Sequence, residues 1–294
     1  MSDKVITDAR YTPSPRPTFD GPAVIRHEDV TRHVWGDAVS GEVMDWIYVS
    51  SAKIHQLVFG LSPGRSFRHS DEFRTVFAAD EVLYVLSGVL VIANPMTGEV
   101  HRVEADEAVF FRRDTWHHAI SYGKDELRVL ELFAPPPAAG TSGSYAQTRQ
   151  NLTDVTYTDD ASLRRWPMDS ATIRRTQTMR VLHRNDRLWR IEGRNDPALV
   201  GILASTEHLT VATLDLRPGQ GTDLQRHAGD KSGYVLDGTI GIRFGADAGR
   251  EWSEMSPGDG FYLPEGVPHR FYNLSSASAR IIFGVAPQYV GDGS

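Results

Sequence analysis

Short runs of alternating apolar and polar residues, rather than a helical period, organise this chain of 294 residues. Runs such as LVFGLSPG (57–64) and EVLYVLSG (81–88) end in glycine, and proline, serine or aspartate stands close by. These residue types favour turns. Short strands separated by such turns are typical of β-sandwiches and β-barrels. No amphipathic helix of bundle length competes with this prediction, so the pattern predicts an all-β protein.

The same set of segments occurs twice along the chain. The second copy reads ATLDLRPG (212–219) and then KSGYVLDG (231–238). Further on, GDGFYLPEGVPHRFYN (258–273) has a weaker counterpart in DEAVFFRRDTWHHAIS (106–121), which keeps the spacing but replaces the turn residues. The chain therefore contains two similar β-units.

The composition between the two units predicts the domain boundaries. The segment APPPAAGTSGSYAQTRQN is rich in proline, glycine, alanine and serine, which is typical of a surface spacer. We expect an N-terminal arm (1–22), an N-terminal barrel (23–135), a linker and connecting segment (136–185) and a C-terminal barrel (186–294).

The second unit carries a recognisable motif. Its spacing is glycine, five residues, Pro-x-Gly, two residues, histidine, three residues, asparagine. The motif positions are occupied by Gly258, Pro264, Gly266, His269 and Asn273. In this respect the chain resembles a bicupin of the cupin superfamily, over about 45–135 and 195–288. The resemblance implies a double-stranded β-helix, or jelly-roll, barrel in each half, with inward-facing ligands for one divalent metal.

In the C-terminal unit, the metal positions that the resemblance implies are occupied by Gln225, His227 and His269. The position of the family's glutamate is taken by Lys231, whose positive charge would repel a divalent cation. Either the first three residues bind a metal, or this barrel has lost its metal and its histidines form hydrogen bonds. Because strand side chains alternate, we also expect Phe271 and Asn273 in the cavity, beside Lys231.

In the N-terminal unit, Glu81 and His117 stand at the family's positions, whereas His69 is one residue out of register. A β-bulge could turn His69 inward. His69, Glu81 and His117 would then form the two-histidine, one-carboxylate set that non-haem iron enzymes use. The alternative is an exposed His69 and a Glu81 paired with an arginine. Tyr84, aromatic at strand spacing, is a further cavity candidate.

Electrostatics favours the N-terminal barrel as the metal site. A carboxylate offsets the charge of a divalent cation in a low-dielectric cavity, whereas a lysine adds to it. We therefore choose His69, Glu81 and His117 first, and Gln225, His227 and His269 second. Fe(II) is the first choice of metal, with Mn(II), Ni(II) and Zn(II) as alternatives.

Composition narrows the partners. A net charge of −7 disfavours nucleic acid, and the absence of cysteine excludes disulfides and cysteine-ligated metals. The most apolar stretch, 82–93, is too short to span a bilayer, and the N-terminus does not read as a signal peptide. We expect a cytoplasmic protein with a small organic substrate and no membrane partner. A homodimer is also expected, because pairing covers strand edges.

Function follows from the resemblance only in outline. Bicupins imply a metal-dependent enzyme acting on a small molecule, with an Fe(II) dioxygenase as the first hypothesis. A metal-dependent isomerase, cyclase or decarboxylase is the alternative within enzymes. A non-catalytic bicupin that binds a small molecule stays open beside both.

Overall fold

The computed structural model describes residues 15–37, 40–68, 74–113, 115–135, 147–149, 177–195, 197–245 and 252–289. Within these ranges the protein is built from β-strands, and its helical content is a single 3₁₀ turn at Arg184–Asp186. No helix in the described part of the chain has the length and hydropathy needed to cross a membrane. The all-β prediction is confirmed.

The strands alternate with short turns along both halves. The first half contains β1 (Ala23–Ile25), β2 (Thr31–Asp37), β3 (Gly41–Ser50), β4 (His55–Leu61), β5 (Ser66–Phe67), β6 (Arg74–Val76), β7 (Asp80–Ser87), β8 (Val89–Asn94), β9 (Glu99–Glu104), β10 (Ala108–Phe111), β11 (His118–Ser121), β12 (Leu127–Ala134) and β13 (Gln147–Arg149). The second half contains β14 (Met179–Leu182), β15 (Leu188–Glu192), β16 (Ala198–Ser205), β17 (Thr210–Leu216), β18 (Ala228–Asp237), β19 (Ile240–Phe244), β20 (Trp252–Met255), β21 (Gly260–Leu263), β22 (His269–Tyr272) and β23 (Ala279–Gln288).

Each barrel combines a seven-stranded sheet with a smaller one. The N-terminal barrel uses the order β14-β10-β7-β12-β4-β3-β2 and the four strands β5-β11-β8-β9. The C-terminal barrel uses β1-β21-β18-β23-β17-β16-β15 and the three strands β20-β19-β22. The strands β13 and β6 form a separate pair. This is the predicted arrangement of two tandem jelly-roll barrels.

The two barrels exchange strands. β1, from the first half, pairs antiparallel with β21 of the C-terminal barrel, with Ala23 opposite Tyr262. β14, which precedes the second barrel, pairs with β10 of the N-terminal barrel, with Ala108 opposite Leu182. The sequence predicts β1 in the N-terminal barrel (23–135) and β14 in the connecting segment (136–185). In the structure β1 completes a sheet of the C-terminal barrel and β14 completes a sheet of the N-terminal barrel.

A shared apolar cluster joins the barrels. Each barrel has its own interior core, and a third cluster draws buried residues from both halves, among them Tyr48, Leu132, Leu209 and Ile282. The hydroxyl of Tyr48 donates a 2.6 Å hydrogen bond to the carbonyl of Gly258 across this boundary. The units are therefore packed as one body rather than held by the linker alone.

A change of turn residue adds a link between the barrels. Gly258 has a φ of 98°, a left-handed value that favours glycine, and its counterpart Asp106 adopts a φ of 69°. The Asp106 carboxylate accepts hydrogen bonds from Arg187 at 3.0 Å and from Arg280 of the C-terminal barrel at 2.9 Å. Asp106 thus adopts a backbone conformation that is uncommon for residues other than glycine, and its carboxylate forms ion pairs with Arg187 and Arg280.

Replacing Gly260 tests the junction. A β-carbon at Gly260 would lie 2.5 Å from Cδ1 of Tyr48, whereas nothing lies within 4 Å of one at Gly21. Gly260→Ala should therefore lower the free energy of unfolding by about 1–3 kcal/mol, as overpacking does. Gly21→Ala, the matched control, should change it by less than about 0.5 kcal/mol. Chemical denaturation measures both, and equal values for the two variants would contradict the packing described here.

Candidate functional site

The strand registers identify equivalent positions in the two barrels. Glu81 of β7 lies opposite Phe133 of β12, and Lys231 of β18 lies opposite Val285 of β23. Phe133 is six residues after Leu127, the first residue of β12, and Val285 is six residues after Ala279, the first residue of β23. Leu127 pairs with Leu61, and Ala279 pairs with Leu216. Glu81 and Lys231 therefore occupy the same place in the fold, as the glycine spacing predicts.

Among the residues that the structure describes, three place a carboxyl group inside the N-terminal barrel. Glu81 on β7 is 1% exposed, and Glu131 on β12 and Asp45 on β3 are also buried. Each takes an inward position in an otherwise apolar strand face, as in Leu127, Val129, Glu131 and Phe133. Glu81 and Glu131 share a hydrogen bond. The described interior thus holds a carboxyl pair with a third acid nearby.

Burial makes these acids hard to ionise. Desolvation, followed by the charge of Glu131, raises the pKa of Glu81 well above its usual range. Burial also raises the pKa of Glu131 to about 7, although the hydrogen bond from Glu81 works against this shift. The pKa of Asp45 is raised by burial and then by Glu131. Glu81 is therefore the protonated partner, and it donates to Glu131.

A cavity of about 90 Å³ lies beside this pair. Its walls are mainly apolar and aromatic, and among the described residues the ionisable lining groups are Asp45, His55, His117 and Glu131. One water needs about 10–15 Å³ of such space, so the cavity accommodates a small organic molecule. The mixture of aromatic walls with a few ionisable groups is the usual composition of a ligand site.

Two histidines line this cavity, the buried His55 and the half-buried His117. The Nδ1 of His117 donates to the carbonyl of Thr115 at 3.2 Å, and the ring lies 4.7 Å from that of Phe111. Burial lowers the pKa of His117 to about 4 and, with help from Arg16, that of His55 to about 3. Both imidazoles are therefore neutral near pH 7, which is the form that binds metals.

Of the three residues chosen first, the structure describes Glu81 and His117. His69 lies outside the described residues, so its predicted role stays a prediction. The alternative partner for Glu81 was an arginine. The hydrogen bond in the described structure goes instead to Glu131.

The interior of the C-terminal barrel is organised around Lys231, which is 2% exposed. Its Nζ lies 3.2 Å from Nε2 of His227 and 3.3 Å from Nε2 of His269. The ring of Phe283 lies 4.1 Å from the same nitrogen. Burial lowers the pKa of Lys231 to about 7. The predicted grouping of these two histidines and the lysine is therefore present.

Gln225 lies beside His269, because the backbones of the two residues pair through hydrogen bonds of 2.8 and 3.0 Å. Its Nε2 lies 3.5 Å from Glu192, and Glu192 also accepts a 2.7 Å hydrogen bond from the hydroxyl of Tyr289. The carbonyl of Tyr289 in turn accepts from Nδ1 of His227 at 2.7 Å. Gln225 thus contributes to a hydrogen-bonded network around His227.

The other predicted cavity residues separate into three cases. Phe271 lies in the C-terminal interior, with its ring 5.0 Å from Nζ of Lys231. Asn273 is buried but holds a turn, because its Nδ2 donates to the carbonyls of Leu216 and Ala277. Tyr84 alternates away from the interior positions of β7 and lines a cleft between the barrels, where its hydroxyl donates to Asp106.

Sequence reasoning missed several site residues. Asp45, His55 and Glu131 sit at inward positions of apolar strands, and the two-residue period of those strands could have identified them. Glu192 and Tyr289 come from the two ends of the second unit. No local pattern connects them with His227.

The fold and interior together define a tandem jelly-roll protein with ionisable groups inside each barrel. A model of the cupin domain matches residues 63–133 and 212–285. The chain is a bicupin of the cupin superfamily. No curated protein matches the sequence.

Solved structures share this fold at low sequence identity. A protein from Pseudomonas aeruginosa described as glyoxylate-induced is 14% identical, with a TM-score of 0.63, over 97% of this chain and 95% of the other. The protein Ylba from E. coli is 9% identical, with a TM-score of 0.61, over 93% and 94%. An oxalate decarboxylase from Lactobacillus farciminis, in a formate complex, is 12% identical, with a TM-score of 0.60, over 95% and 90%. These likenesses establish the fold alone.

The cupin family implies a divalent metal, and the chemistry of the N-terminal interior fits one. In addition to burial, the charge of Glu131 raises the pKa values of Glu81 and Asp45, and a cation would lower them. Glu81 Oε2 is buried and has no hydrogen-bond partner in the described structure. Within the same ranges, no group of three or more His, Cys, Asp or Glu side chains could hold a metal. A third ligand there has to come from elsewhere, as predicted for His69.

The C-terminal interior does not fit a metal as it stands. The amine of Lys231 lies within hydrogen-bonding distance of both imidazoles. A metal ion bound there would be repelled by the amine if it is charged and would compete with it for the imidazole lone pairs. We therefore place no chemical step in this barrel.

The carboxyl pair predicts a pH dependence of stability. Folding raises the pKa of Glu131 from 4.5 to about 7. The contribution of this carboxyl to the free energy of unfolding is therefore fully present below pH 4.5 and is lost as the pH rises through 7. Glu131→Gln keeps the shape without the ionisation. In chelator-treated protein, the variant's free energy of unfolding relative to wild type should rise between pH 5 and 8, on the order of 1–3 kcal/mol. Glu126→Gln, the same change at an exposed carboxyl directly before β12, is the control for the loss of a charge. A constant difference for Glu131→Gln would refute the burial argument.

Proposed function

We propose that this bicupin is a metal-dependent enzyme that acts on a small organic molecule in its N-terminal barrel. The observation that carries the proposal is the buried carboxyl pair of Glu81 and Glu131, beside His117 and an aromatic cavity of about 90 Å³. Buried acids with raised pKa values next to a ligand-sized cavity are costly for stability, and they cluster at functional sites.

Glu81 and His117 are the described residues that would hold the metal, with His69 as the proposed third ligand. When bound, a divalent metal supplies Lewis-acid stabilisation of developing negative charge and, in the case of Fe(II), access to chemistry with dioxygen. Fe(II) is our first choice because two histidines and one carboxylate are the donor set of non-haem iron oxygenases. Mn(II), Ni(II) and Zn(II) are the alternatives.

The chain's own groups have distinct tasks in this proposal. The carbonyl of Thr115 fixes the His117 ring through Nδ1 and leaves Nε2 as the nitrogen with the lone pair. Glu131 accepts the hydrogen bond of Glu81 and can take up its proton when Glu81 becomes a ligand. Aromatic side chains such as Phe59, Phe77 and Phe133 line the cavity and limit the water around a bound substrate.

The first hypothesis for the reaction is an Fe(II)-dependent dioxygenation. A decarboxylase, isomerase or cyclase is the second candidate, and one observation favours it: a neutral Glu81 hydrogen-bonded to Glu131 is equipped for proton transfer. The fold shared with an oxalate decarboxylase is compatible with this second candidate. The homodimer, the cytoplasmic location and the small-molecule partner stay predictions.

Metal stoichiometry tests the choice of barrel. Metal-free protein is loaded anaerobically with Fe(II), desalted and analysed for iron, and the same is done for two variants. Glu81→Ala should lose the iron, because it removes the one inward carboxylate at a metal-ligand position. His269→Ala, the matched change in the other barrel, should keep it. Loss of iron in His269→Ala with retention in Glu81→Ala would mean that the wrong barrel has been chosen.

Oxygen uptake separates the two reaction classes. Iron-loaded protein is offered a panel of small phenols, diols and carboxylic acids, and oxygen consumption is followed with and without substrate. A dioxygenase should consume one molecule of oxygen for each substrate converted, and Glu81→Ala should consume none above background. Substrate conversion that continues in the absence of oxygen would favour the decarboxylase or isomerase hypothesis instead.

A further inference from the structure

A buried lysine lies between two histidines in the C-terminal barrel. Lys231 occupies the register position of Glu81, and its Nζ lies between two imidazole nitrogens, 3.2 Å from His227 Nε2 and 3.3 Å from His269 Nε2. All three side chains are buried. The arrangement therefore places an amine where the N-terminal barrel has a carboxyl.

The two imidazoles are oriented as metal ligands are. Nδ1 of His227 lies 2.7 Å from the carbonyl of Tyr289, and Nδ1 of His269 lies 3.0 Å from that of Val267. A carbonyl oxygen only accepts hydrogen bonds, so the ring proton must sit on Nδ1 in both residues. The lone pair of each Nε2 is then directed at the lysine amine. Backbone carbonyls fix the tautomer of metal-bound histidines in the same way.

We propose that Lys231 replaces a divalent metal in the C-terminal barrel: its amine occupies the position between His227 and His269 and keeps this barrel metal-free. A metal bound to these nitrogens would need distances of about 2.0–2.1 Å, which brings it close to Nζ. The lysine and the metal therefore exclude each other. This inference does not depend on the proposed function of the first barrel.

The surroundings of Lys231 suit an amine better than a divalent ion. Rings of Phe283 and Phe271 lie 4.1 Å and 5.0 Å from Nζ, within the range of cation–π contacts. Phe283 occupies the register position of Glu131, and Val200 occupies that of Asp45. Two of the three acids of the first barrel are thus replaced here by apolar side chains, and the carboxylate whose charge acts on Lys231 is that of Glu192. The position holds an amine that the chain itself provides.

The decisive variant restores the family's residue. Lys231→Glu should create a metal site with His227 and His269, read out by isothermal titration of metal-free protein with Co²⁺ and by the visible absorption of the bound ion. We expect one additional equivalent of Co²⁺ over the wild type. Lys231→Met, the matched control, removes the amine without adding a ligand, and it should bind Co²⁺ far more weakly than Lys231→Glu.

Two further variants assign the added equivalent. Lys231→Glu combined with His269→Ala should lose it. Lys231→Glu combined with Glu81→Ala should retain it, so failure of the proposed N-terminal site is distinguishable from failure of this inference. If the Lys231→Glu protein is folded, as judged by an unchanged circular dichroism spectrum, and still gains no Co²⁺, the proposal is overturned.

The wild-type chain supplies a test that does not depend on the folding of Lys231→Glu. His269→Ala should leave the Co²⁺ stoichiometry of the otherwise wild-type protein unchanged, because Lys231 already excludes the ion. A lower stoichiometry in His269→Ala would show that the C-terminal histidines bind a metal in spite of the lysine. That result would overturn the inference.

Discussion

An ionisable side chain inside an apolar barrel can keep its charge only if an opposite charge or a set of hydrogen bonds lies beside it. Both interiors of this protein are governed by that constraint. The N-terminal barrel buries acids, whose pKa values rise, and the C-terminal barrel buries Lys231, whose pKa falls. In each case burial favours the neutral form of the side chain, and the neighbouring groups determine whether a charged form can be stabilised.

The same fold thus supports two opposite electrostatic solutions. Asp45, Glu81 and Glu131 correspond in register to Val200, Lys231 and Phe283. The first set collects oxygen donors around a cavity, and the second surrounds an amine with rings and imidazoles. Because the backbone is shared, the chemical difference between the barrels lies in a few inward positions. Duplication of the fold therefore did not duplicate the site.

Turn glycines made much of the fold predictable, because each marks a strand end at a defined distance from the next. That spacing was sufficient to place Glu81, Lys231 and His269 correctly. It could not reveal the partner of Glu81, since Glu131 approaches it from a strand some fifty positions later in the chain. The pairing of the exchanged strands β1 and β14 could not be predicted for a related reason: the sequence of a three- or four-residue strand does not indicate which sheet it joins. Asn273 matched a motif, yet its amide serves a turn.

The exchange of outer strands links the two halves during synthesis as well as in the finished molecule. The first barrel emerges from the ribosome without β14, so its sheet keeps an open edge until the connecting segment has followed. β1 stays unpaired for longer, because its partner β21 lies near the end of the chain. A cut in the segment between the barrels would leave each fragment with an unpaired edge and with one side of the shared apolar cluster exposed. The two cupin units are thus separable in sequence but not as independent folding units.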